Sequence, residues 1–412
     1  MTVEQIESYL AEINLPDNLS QLLESAYLVG GSVRDALLQR QQKFLDLDFV
    51  LPKGAIATAR KIANLYHGGF VVLDDAREIA RVVFDWGTLD LAKQEGSSLE
   101  TDLTRRDFTI NAIACSLHSR ELVDPLGGLK DLQQGIIRAV SYQNLEDDPL
   151  RLLRAYRQAA QLNFIIEAET RTAIRDRAFL LKSIAAERVQ AELNYIFVAP
   201  QKNKWLSLAI EDGLLKYWLP DAATTAAQLE AVDEGIEYCL KFGLNLPELT
   251  VLVHLATLVA DESEGAEIQL TQLKYSRAQI KAVTKTIQHL PQLQQMKSQM
   301  SLREQYFWFL SVKDVFPILV ARAIATNVST EILTPLIQRY LDPQDLIVYP
   351  QCLVRGDDLI RELNLKPSPL IGELLTEIQI AQIESKISTP QQAIDFARSI
   401  LDKSNSDTDS LI

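Results

Sequence analysis

Asp46 and Asp48 lie two residues apart in the strand-like run Leu45–Leu51. Side chains alternate along a β-strand, so both carboxylates project from one face, with Leu47 and Phe49 on the other. Two carboxylates this close repel each other unless a divalent cation lies between them. Mg²⁺ takes oxygen ligands and acts in pairs in phosphoryl transfer, so we expect both aspartates to be catalytic metal ligands. A solvated strand face is the alternative.

A turn that suits an anion precedes this strand. The segment Leu28–Asp35 passes from apolar residues through two glycines into a helical pattern. Glycines let backbone amides approach a ligand closely, and the start of a helix attracts negative charge. We therefore expect Gly30, Gly31 and Arg34 to bind a triphosphate, with Ser32 capping the helix. Alone, the segment is equally compatible with a plain strand-to-helix turn.

A third polar block spans Asp102–Ala112. Its two arginines, Arg105 and Arg106, suit planar, bidentate contacts with phosphate. Asp107 and Asn111 would orient those arginines or bind a ribose hydroxyl. The block therefore supplies four candidate nucleotide ligands, although a solvated arginine pair beside a salt-bridging aspartate is the alternative.

The fourth block spans Asp147–Arg157, where Pro149 suits the first turn of a helix. A spacing of three places Asp148, Arg151 and Arg154 along one stripe of that helix. An aspartate acceptor beside an arginine donor fork matches the edge of a nucleotide base. The alternative is a surface salt bridge worth only about 0.2–0.5 kcal/mol.

The elements that would position these motifs change along the chain. Before residue 140, strand-like runs alternate with helical stretches, and after Pro149 helical patterns follow one another. The predicted strands are Tyr27–Val29, Asp46–Leu51, Phe70–Leu73, Ile79–Phe84 and Glu121–Val123; the predicted helices include Val33–Leu38, Ala55–Tyr66, Leu150–Leu162, Glu167–Ala178, Ala186–Val198 and Lys204–Gly213. The sequence therefore predicts an α+β protein, with a mixed sheet-and-helix domain followed by an all-α part.

Composition narrows the class of protein. The 412 residues are 47% apolar and 23% charged, with a net charge of −14. Such a charge argues against a protein coated in nucleic acid, so any RNA would need a local basic groove. The chain has no apolar run long enough for a membrane and begins with the polar amphipathic stretch Thr2–Leu15, which predicts a cytoplasmic protein without membrane contact. The isolated Cys115, Cys239 and Cys352 are expected to be buried thiols.

In this order, the four blocks resemble the class II tRNA nucleotidyltransferase and bacterial poly(A) polymerase family, over about residues 25–195. The resemblance implies a metal and triphosphate motif at Gly30, Gly31, Asp46 and Asp48, a ribose-recognising motif at Arg105, Arg106 and Asp107, a base-selecting pair at Asp148 and Arg151, and a steadying motif at Glu187, Arg188 and Glu192. Asp147 replaces the glutamate usual at the first position of the base-selecting motif.

The resemblance also implies an architecture and substrates. A polymerase-β-like nucleotidyltransferase head would occupy residues 1–140, a helical neck 141–200, a helical body 201–345 and a tRNA-binding helical tail 346–412. The last residues, including Lys403–Asp409, are rich in Ser, Asp and Asn and are expected to be disordered. Expected substrates are the 3′ end of tRNA with CTP, ATP or both, and Mg²⁺ is the expected cofactor in a two-metal mechanism.

The resemblance implies that the number of nucleotides added is linked to the segment Phe84–Asp102. It looks shorter than the flexible loop that precedes the ribose motif in family members that complete the CCA end, and this favours addition of the two C residues only. An A-adding enzyme, a full CCA-adding enzyme and a poly(A) polymerase are the alternatives. A catalytically silent RNA-binding module is a further one, although it would have no need for a metal pair beside a triphosphate turn.

Overall fold

The computed structural model describes residues 2–11, 19–40, 44–296 and 298–409. The chain divides into two compact units, Met1–Trp218 and Leu219–Ile412. The first unit carries the β-sheet and all four motifs, and the second is built from helices. This confirms the predicted α+β class, whereas the finer division into head, neck, body and tail stays a prediction.

The first unit contains nine strands and eleven α-helices among its described residues. The strands are β1 (Tyr27–Val29), β2 (Leu45–Leu51), β3 (Gly69–Asp74), β4 (Ile79–Phe84), β5 (Gly87–Lys93), β6 (Ala114–Ser116), β7 (Leu122–Val123), β8 (Ile136–Ile137) and β9 (Ile165–Ile166). The helices are α1 (Val3–Ala11), α2 (Leu19–Leu22), α3 (Gly31–Leu37), α4 (Ala55–Tyr66), α5 (Leu99–Leu103), α6 (Gly128–Gln134), α7 (Tyr142–Asp147), α8 (Leu150–Leu162), α9 (Ala168–Arg177), α10 (Ala186–Phe197) and α11 (Lys202–Glu211), with 3₁₀ turns at Thr109–Asn111 and Ala178–Ser183.

Seven strands form one sheet in the order β3-β4-β5-β2-β1-β6-β7. The pairing of β2 with β5 is parallel and the other pairings in this sheet are antiparallel. The sequence does not predict β5, because Phe84–Asp102 resembles a shortened form of the loop that precedes the third motif. Its residues nevertheless alternate, with Leu89 and Leu91 buried and Asp90 between them, which is the pattern of a half-buried strand.

The two faces of this sheet have different roles. One face is apolar and packs against α3 and α4. Its buried strand residues are Leu28, Leu47, Phe49, Ala80, Val82, Leu89 and Leu91. The opposite face carries Asp46 and Asp48. A small apolar cluster that includes Leu99 and Leu103 of α5 covers the part of this face formed by β1 and β6. Asp46 and Asp48 therefore lie on a face whose β1 and β6 part is covered by α5.

Helix α8 is fixed in place by a buried polar contact. The hydroxyl of Tyr156 donates to the carboxylate of Asp212, and Arg171 Nε donates to the same carboxylate at 2.6 Å. The Tyr156 ring also meets Trp205 of α11 edge-on, with 5.9 Å between centroids. These contacts hold α8 against α9 and α11 and so fix the helix that carries the fourth motif. The β8–β9 pair is a further departure from prediction, since β9 lies where helices alone were expected.

The second unit contains α12 (Ala222–Thr225), α13 (Leu229–Lys241), α14 (Leu249–Leu258), α15 (Ser263–Gln272), α16 (Arg277–Gln295), α17 (Leu302–Val312), α18 (Phe316–Ala325), α19 (Thr330–Leu341), α20 (Gly356–Leu363), α21 (Pro369–Ile383) and α22 (Pro390–Asp409), with 3₁₀ turns at Ala226–Gln228 and Lys313–Val315. The backbone of the Lys403–Asp409 segment, for which the sequence predicts disorder, continues α22, and residues 410–412 lie outside the described residues.

The sequence predicts three buried cysteines and no membrane-spanning segment. Cys115 and Cys239 are buried as predicted, but Cys352 is exposed. It lies in the irregular stretch between α19 and α20. Every helix within the described ranges is too short or too polar to cross a lipid bilayer.

Gly235 marks a close crossing of α13 and α18 in the second unit. A Cβ atom added there would lie 2.2 Å from the backbone oxygen of Ala321, whereas a Cβ added at Gly372 of α21 would meet nothing within 4 Å. Replacing glycine by alanine inside a helix ordinarily stabilises it by about 0.5–1 kcal/mol. At Gly235 the steric clash outweighs this gain.

We therefore predict that Gly235→Ala lowers the free energy of unfolding by about 1–3 kcal/mol, as overpacking does, and that Gly372→Ala raises it slightly. Urea denaturation followed by circular dichroism measures both. A Gly235→Ala protein as stable as Gly372→Ala would contradict the close crossing.

Candidate active site

A cavity of about 780 Å³ opens in the first unit. It is lined by Tyr9, Gly30, Gly31, Ser32, Arg34, Asp35, Arg40, Asp46, Asp48, Arg106, Asp107, Asn111, Asp148, Arg151, Arg154, Arg157, Gln161, Arg188, Tyr195, Val198, Ala199 and Pro200. Seven of these residues are arginines and five are aspartates. An acidic chain therefore concentrates positive charge in one place, which is the local basic groove that RNA or a nucleotide would require.

All but one of the candidate residues from the four motifs line this cavity. The exception is Arg105, whose side chain is 61% exposed and lies with its Nε 3.0 Å from Glu95. Its neighbour Arg106 turns inward and donates to Asp102 at 3.2 Å. Two adjacent residues in an irregular turn point in different directions, so the sequence could not assign the roles of the two arginines. The position of Arg105 therefore does not support its role as a nucleotide ligand, which stays a prediction.

The Asp46 and Asp48 carboxylates stand on the same face of β2, as their spacing predicts. The Asp46 side chain is 61% exposed, and the Thr88 hydroxyl donates to its Oδ1 at 2.5 Å. Burial, together with the nearby charges of Asp46 and Asp90, raises the pKa of Asp48 to about 7. A cation between the two aspartates would remove this repulsion. The donor set of two adjacent carboxylates therefore fits a hard, oxygen-preferring ion.

Asp90 is a neighbour of this pair that the sequence did not reveal. It lies opposite Asp48 in the parallel register of β2 and β5. Arg81 of β4 binds both its carboxylate oxygens at 2.7 Å and approaches Asp46 at 3.9 Å. Among the described residues no group of three or more His, Cys, Asp or Glu side chains is arranged to hold a metal ion. The alternation of Thr88 and Asp90 was the available signal, but it requires that β5 be recognised first.

The glycine turn lies beside this strand. Gly30 has a φ of 75°, and a Cβ there would come within 3.0 Å of Arg106 Nη1, so a side chain would be strained and crowded at this position. Ser32 does not cap α3 as predicted, since the helix already begins at Gly31. Its hydroxyl donates instead to the backbone oxygen of Asp46 at 2.8 Å. Ser32 thus connects the turn to the strand that carries Asp46 and Asp48.

Asp107 is a buried carboxylate in the third motif. Arg154 donates to its Oδ2 from Nε at 3.0 Å and from Nη2 at 2.9 Å. Asn111 and the backbone amide of Phe108 each donate to Oδ1 at 2.8 Å. Burial alone would raise the pKa of Asp107, but the charge of Arg154 and these hydrogen bonds outweigh it and lower the pKa to about 2. Asp107 therefore orients Arg154, rather than Arg105 or Arg106.

Gln158 is a second residue that the sequence did not single out. Its side chain is buried on α8, four residues after Arg154, and is 1% exposed. The Gln158 Oε1 accepts from Arg34 at 3.2 Å and from Asn111 at 3.0 Å, and Arg34 also donates to Asn111 Oδ1 at 2.8 Å. This amide therefore joins the helix after the glycine turn to the third motif and to α8. A glutamine on a helix gives no sequence signal for such a role.

The predicted base-selecting residues lie at the start of α8. The Asp148 carboxylate pairs with Arg188 of α10 at 3.0 Å, and Arg151 donates to the backbone oxygen of Asn144 at 3.1 Å. The Asn144 side chain in turn donates to the backbone oxygens of Thr104 and Arg106, each at 2.8 Å. The fourth motif is thus connected to the third through Asn144.

Helix α10 carries the motif implied to steady the base-selecting pair. Glu192 lies 2.7 Å from Arg157 and 3.7 Å from Arg154, while Arg188 contacts Asp148 directly. Glu187 is exposed and does not line the cavity. Two of the three residues therefore brace α8 from the neighbouring helix.

Three parts of the chain match family models of known proteins. Residues 26–138 match the family model described as "Poly A polymerase head domain", residues 163–225 match "Probable RNA and SrmB- binding site of polymerase A", and residues 248–397 match a tRNA nucleotidyltransferase domain 2 model. The solved structure of the Thermotoga maritima CCA-adding enzyme complexed with tRNA superposes with a TM-score of 0.74 at 24% identity, covering 96% of this chain and 98% of that one. This likeness shows a shared fold.

Two relatives span nearly the whole chain. The CC-adding tRNA nucleotidyltransferase of Synechocystis sp. is 45% identical over 409 residues, covering 95% of this chain and 98% of the relative. The A-adding tRNA nucleotidyltransferase of Deinococcus radiodurans is 31% identical, covering 90% and 95%. Together with the placement of the four motifs around one cavity, this similarity shows that the chain belongs to the class II tRNA nucleotidyltransferase and poly(A) polymerase family.

Proposed function

We propose that this protein adds C residues from CTP to the 3′ end of tRNA and stops after the second. The observation that carries the proposal is the single cavity in which the metal-type pair of Asp46 and Asp48 faces an arginine-rich wall and the base-selecting pair of α8. The similarity to the CC-adding relative supports the choice of nucleotide, since it is 45% identical against 31% for the A-adding one.

Enzymes of this family generally use divalent metal ions. Here Asp46 and Asp48 would hold Mg²⁺, and their carboxylate oxygens suit it. Bound Mg²⁺ would activate the RNA 3′ hydroxyl and neutralise charge on the leaving pyrophosphate. Thr88 orients the Asp46 carboxylate through its hydroxyl. Ser32 accepts from the backbone amide of Asp48 at 3.4 Å and donates to the backbone oxygen of Asp46, which fixes the strand beneath both carboxylates.

Different residues of the cavity would bind the triphosphate and the ribose of the nucleotide. The amides of the Gly30–Gly31 turn, Arg34 and Arg106 supply positive charge for a triphosphate. Asp107 and Arg154 lie between this region and the start of α8. A ribose would occupy this intermediate position. These groups are already held by one another before a ligand enters, so little rearrangement is needed to position the reacting phosphate.

Base choice follows from hydrogen-bond polarity at Asp148 and Arg151. Cytosine presents an amino donor beside two acceptor atoms, which complements an aspartate acceptor beside an arginine donor. Uracil presents a carbonyl where cytosine has its amino group, so a carboxylate at that position repels it. The pair therefore favours CTP over UTP without a nucleic-acid template.

The segment before the third motif supports a stop after the second C. Only Gln94–Ser98 connect β5 to α5, and the amide of Glu95 is fixed by Asp102 Oδ1 at 2.9 Å. The resemblance associates a longer, flexible loop here with the switch to adding the terminal A. A connection this short and anchored supports addition of the two C residues only.

The metal assignment predicts that Asp46→Asn and Asp48→Asn each reduce incorporation about a hundredfold or more, because the loss of one charged ligand removes stabilisation of the reacting phosphates. Radiolabelled CTP incorporation measures this, and a gel shift with tRNA should be unchanged. Asp75→Asn, at an exposed aspartate in the β3–β4 turn, is the matched control. Near-normal incorporation by either of the first two variants would overturn the assignment.

The choice of nucleotide is tested with tRNAs that end before CCA, after the first C and after CC. We expect C to be added to the first two and no A to be added to the third when CTP and ATP are both supplied. Product length on a denaturing gel gives the result. Efficient A addition to the CC end would indicate a CCA-adding or A-adding enzyme, and long A tracts on unrelated RNA would indicate a poly(A) polymerase.

The Gln158 contacts predict a loss of base selectivity. Gln158→Leu keeps the volume but leaves buried donors of Arg34 and Asn111 with one acceptor fewer, which costs about 1–3 kcal/mol and loosens α8 against the glycine turn. We expect the ratio of kcat/KM for CTP to that for UTP to fall about tenfold. The ratio is independent of how much enzyme is folded, so an unchanged ratio would mean that Gln158 serves stability alone.

A further inference from the structure

The cavity of the first unit continues along helix α8 past the residues of the four motifs. Four of its lining residues, Arg151, Arg154, Arg157 and Gln161, follow one stripe of this helix. At a rise of 1.5 Å per residue, Gln161 lies about 15 Å along the helix axis from Arg151. The cavity therefore extends well beyond the start of α8, where the base would bind.

Helix α10 follows α8 in this direction. Arg188 of α10 contacts Asp148 near the start of α8, and the backbone amide of Gln201 donates to the Ala160 oxygen near its end, at 3.2 Å. The last turn of α10 and the residues after it therefore line the cavity beside the end of α8. We call the surface formed by four of these lining residues the far end: Arg40, Gln161, Tyr195 and Val198.

The far end opens to solvent and carries the guanidinium of Arg40. Tyr195 is 53% exposed and Val198 is 60% exposed. Arg40 donates from Nη2 to the backbone oxygen of Gln161 at 3.4 Å, and its Nη1 lies 3.7 Å from Asp35. The Arg40 side chain is still 40% exposed. Since a guanidinium has five N–H donors, Arg40 has donors left for an anion that reaches the far end.

Arg157 lies between the far end and the groups expected to bind the triphosphate. Its guanidinium is 5.5 Å from the centre of the Tyr195 ring, and its Nε is 2.7 Å from Glu192. Burial, together with nearby guanidinium charges that include Arg34, lowers the pKa of Arg157. An anion beside Arg157 is therefore bound favourably. Arg34, Arg157 and Arg40 together form a path of positive charge from the glycine turn to the far end.

Nucleotidyl transfer creates a second anion in this cavity. The 3′ oxygen of the RNA bonds to the α-phosphorus of CTP, and the bond from that phosphorus to the bridging oxygen breaks. The electron pair of the broken bond leaves with pyrophosphate, and the proton of the 3′ hydroxyl passes to water. Because the attacking and leaving oxygens lie roughly in line, pyrophosphate moves away from the RNA end. It starts beside the glycine turn, where the proposed function places the β- and γ-phosphates.

We propose that the far end is an exit site for pyrophosphate, and this inference rests on the proposed function. Pyrophosphate passes from the glycine turn to Arg157, then to Arg40, and from there to solvent. The far end binds it weakly, because Asp35 already neutralises part of the Arg40 charge and Tyr195 and Val198 are uncharged. Product release limits the turnover of many enzymes, so weak binding shortens the interval before the next CTP is used.

A change of charge at Val198 tests the proposal. We expect Val198→Glu to raise the ratio of the Ki for pyrophosphate to the KM for CTP about fivefold, and Val198→Lys to lower it by a similar factor. Leu65 of α4 is 54% exposed and is not among the described residues that line the cavity, so Leu65→Glu and Leu65→Lys should leave the ratio within about twofold. Initial rates of CTP incorporation at several pyrophosphate concentrations, with Mg²⁺ in constant excess, give both constants.

Removing the charge of Arg40 gives an independent result. We expect Arg40→Gln to raise the same ratio about fivefold, because the last guanidinium on the path is lost. Arg77→Gln is the matched control, since Arg77 lies 3.9 Å from Asp74 in the β3–β4 turn and its side chain is also exposed. This control should leave the ratio unchanged.

Two results would overturn the proposal. Equal changes in both constants in the Val198 and Arg40 variants would mean that the far end binds the phosphates of CTP itself. An unchanged ratio would mean that pyrophosphate leaves elsewhere, and a raised KM for the acceptor RNA in that case would assign the far end to RNA phosphates. Either result leaves CTP incorporation by the unsubstituted protein intact. An unsubstituted protein that releases no pyrophosphate from CTP and tRNA removes the proposed function itself.

Discussion

The carboxylate of Asp107 lies almost entirely out of contact with solvent, and a buried charge is tolerated only when an opposite charge and hydrogen bonds replace its water. Removing one partner from such a pair typically costs about 3–5 kcal/mol. Arg154, Asn111 and the Phe108 amide supply these bonds here. Because Arg154 belongs to α8 and Asp107 to the third motif, their ion pair fixes the helix of the fourth motif against the sheet that carries Asp46 and Asp48. The other contacts of the cavity depend on that geometry.

The same arrangement explains how an acidic protein presents a basic site. Arg34, Arg154 and Arg157 lie within one another's electric field, and burial lowers the pKa of Arg157 although Glu192 opposes this shift. These arginines repel one another and have already lost much of their hydration on folding. A polyanion that enters the cavity therefore stabilises them without a further large desolvation cost. The carboxylates of Asp107 and Glu192 hold this concentration of positive charge in place when no ligand is bound. A net charge of −14 is thus compatible with phosphate binding, since only the local charge matters at these distances.

Residues whose roles follow from local periodicity were predictable from the sequence, whereas those whose roles depend on non-local packing were not. The common direction of Asp46 and Asp48 follows from the alternation of a strand, and the placement of Arg151 and Arg154 along one cavity follows from helical spacing. Asp148, predicted to share their helical stripe, instead precedes α8 in extended backbone and still lines the cavity. Asp90 and Arg81 depend on which strand pairs with β2, which no local pattern encodes. Gln158 was missed because its partners are 47 and 124 residues away in the chain. The different directions of Arg105 and Arg106 could not be predicted, because the direction of a side chain in a turn is set by the packing around it.

The connection between β5 and α5 is linked directly to the cavity. Asp102 accepts the backbone amide of Glu95 through one carboxylate oxygen and Arg106 through the other. Arg106 lines the cavity and crowds the position above Gly30. A change in the length of Gln94–Ser98 would therefore move Asp102, and with it the arginine that faces the glycine turn, without altering β2. Relatives named for adding C, A or both align with 90–95% of this chain at 29–45% identity. Relatives with different products can keep the same strand β2 if the segment that differs acts on the cavity from outside that strand. The connection between β5 and α5 acts in this way, through Asp102 and Arg106.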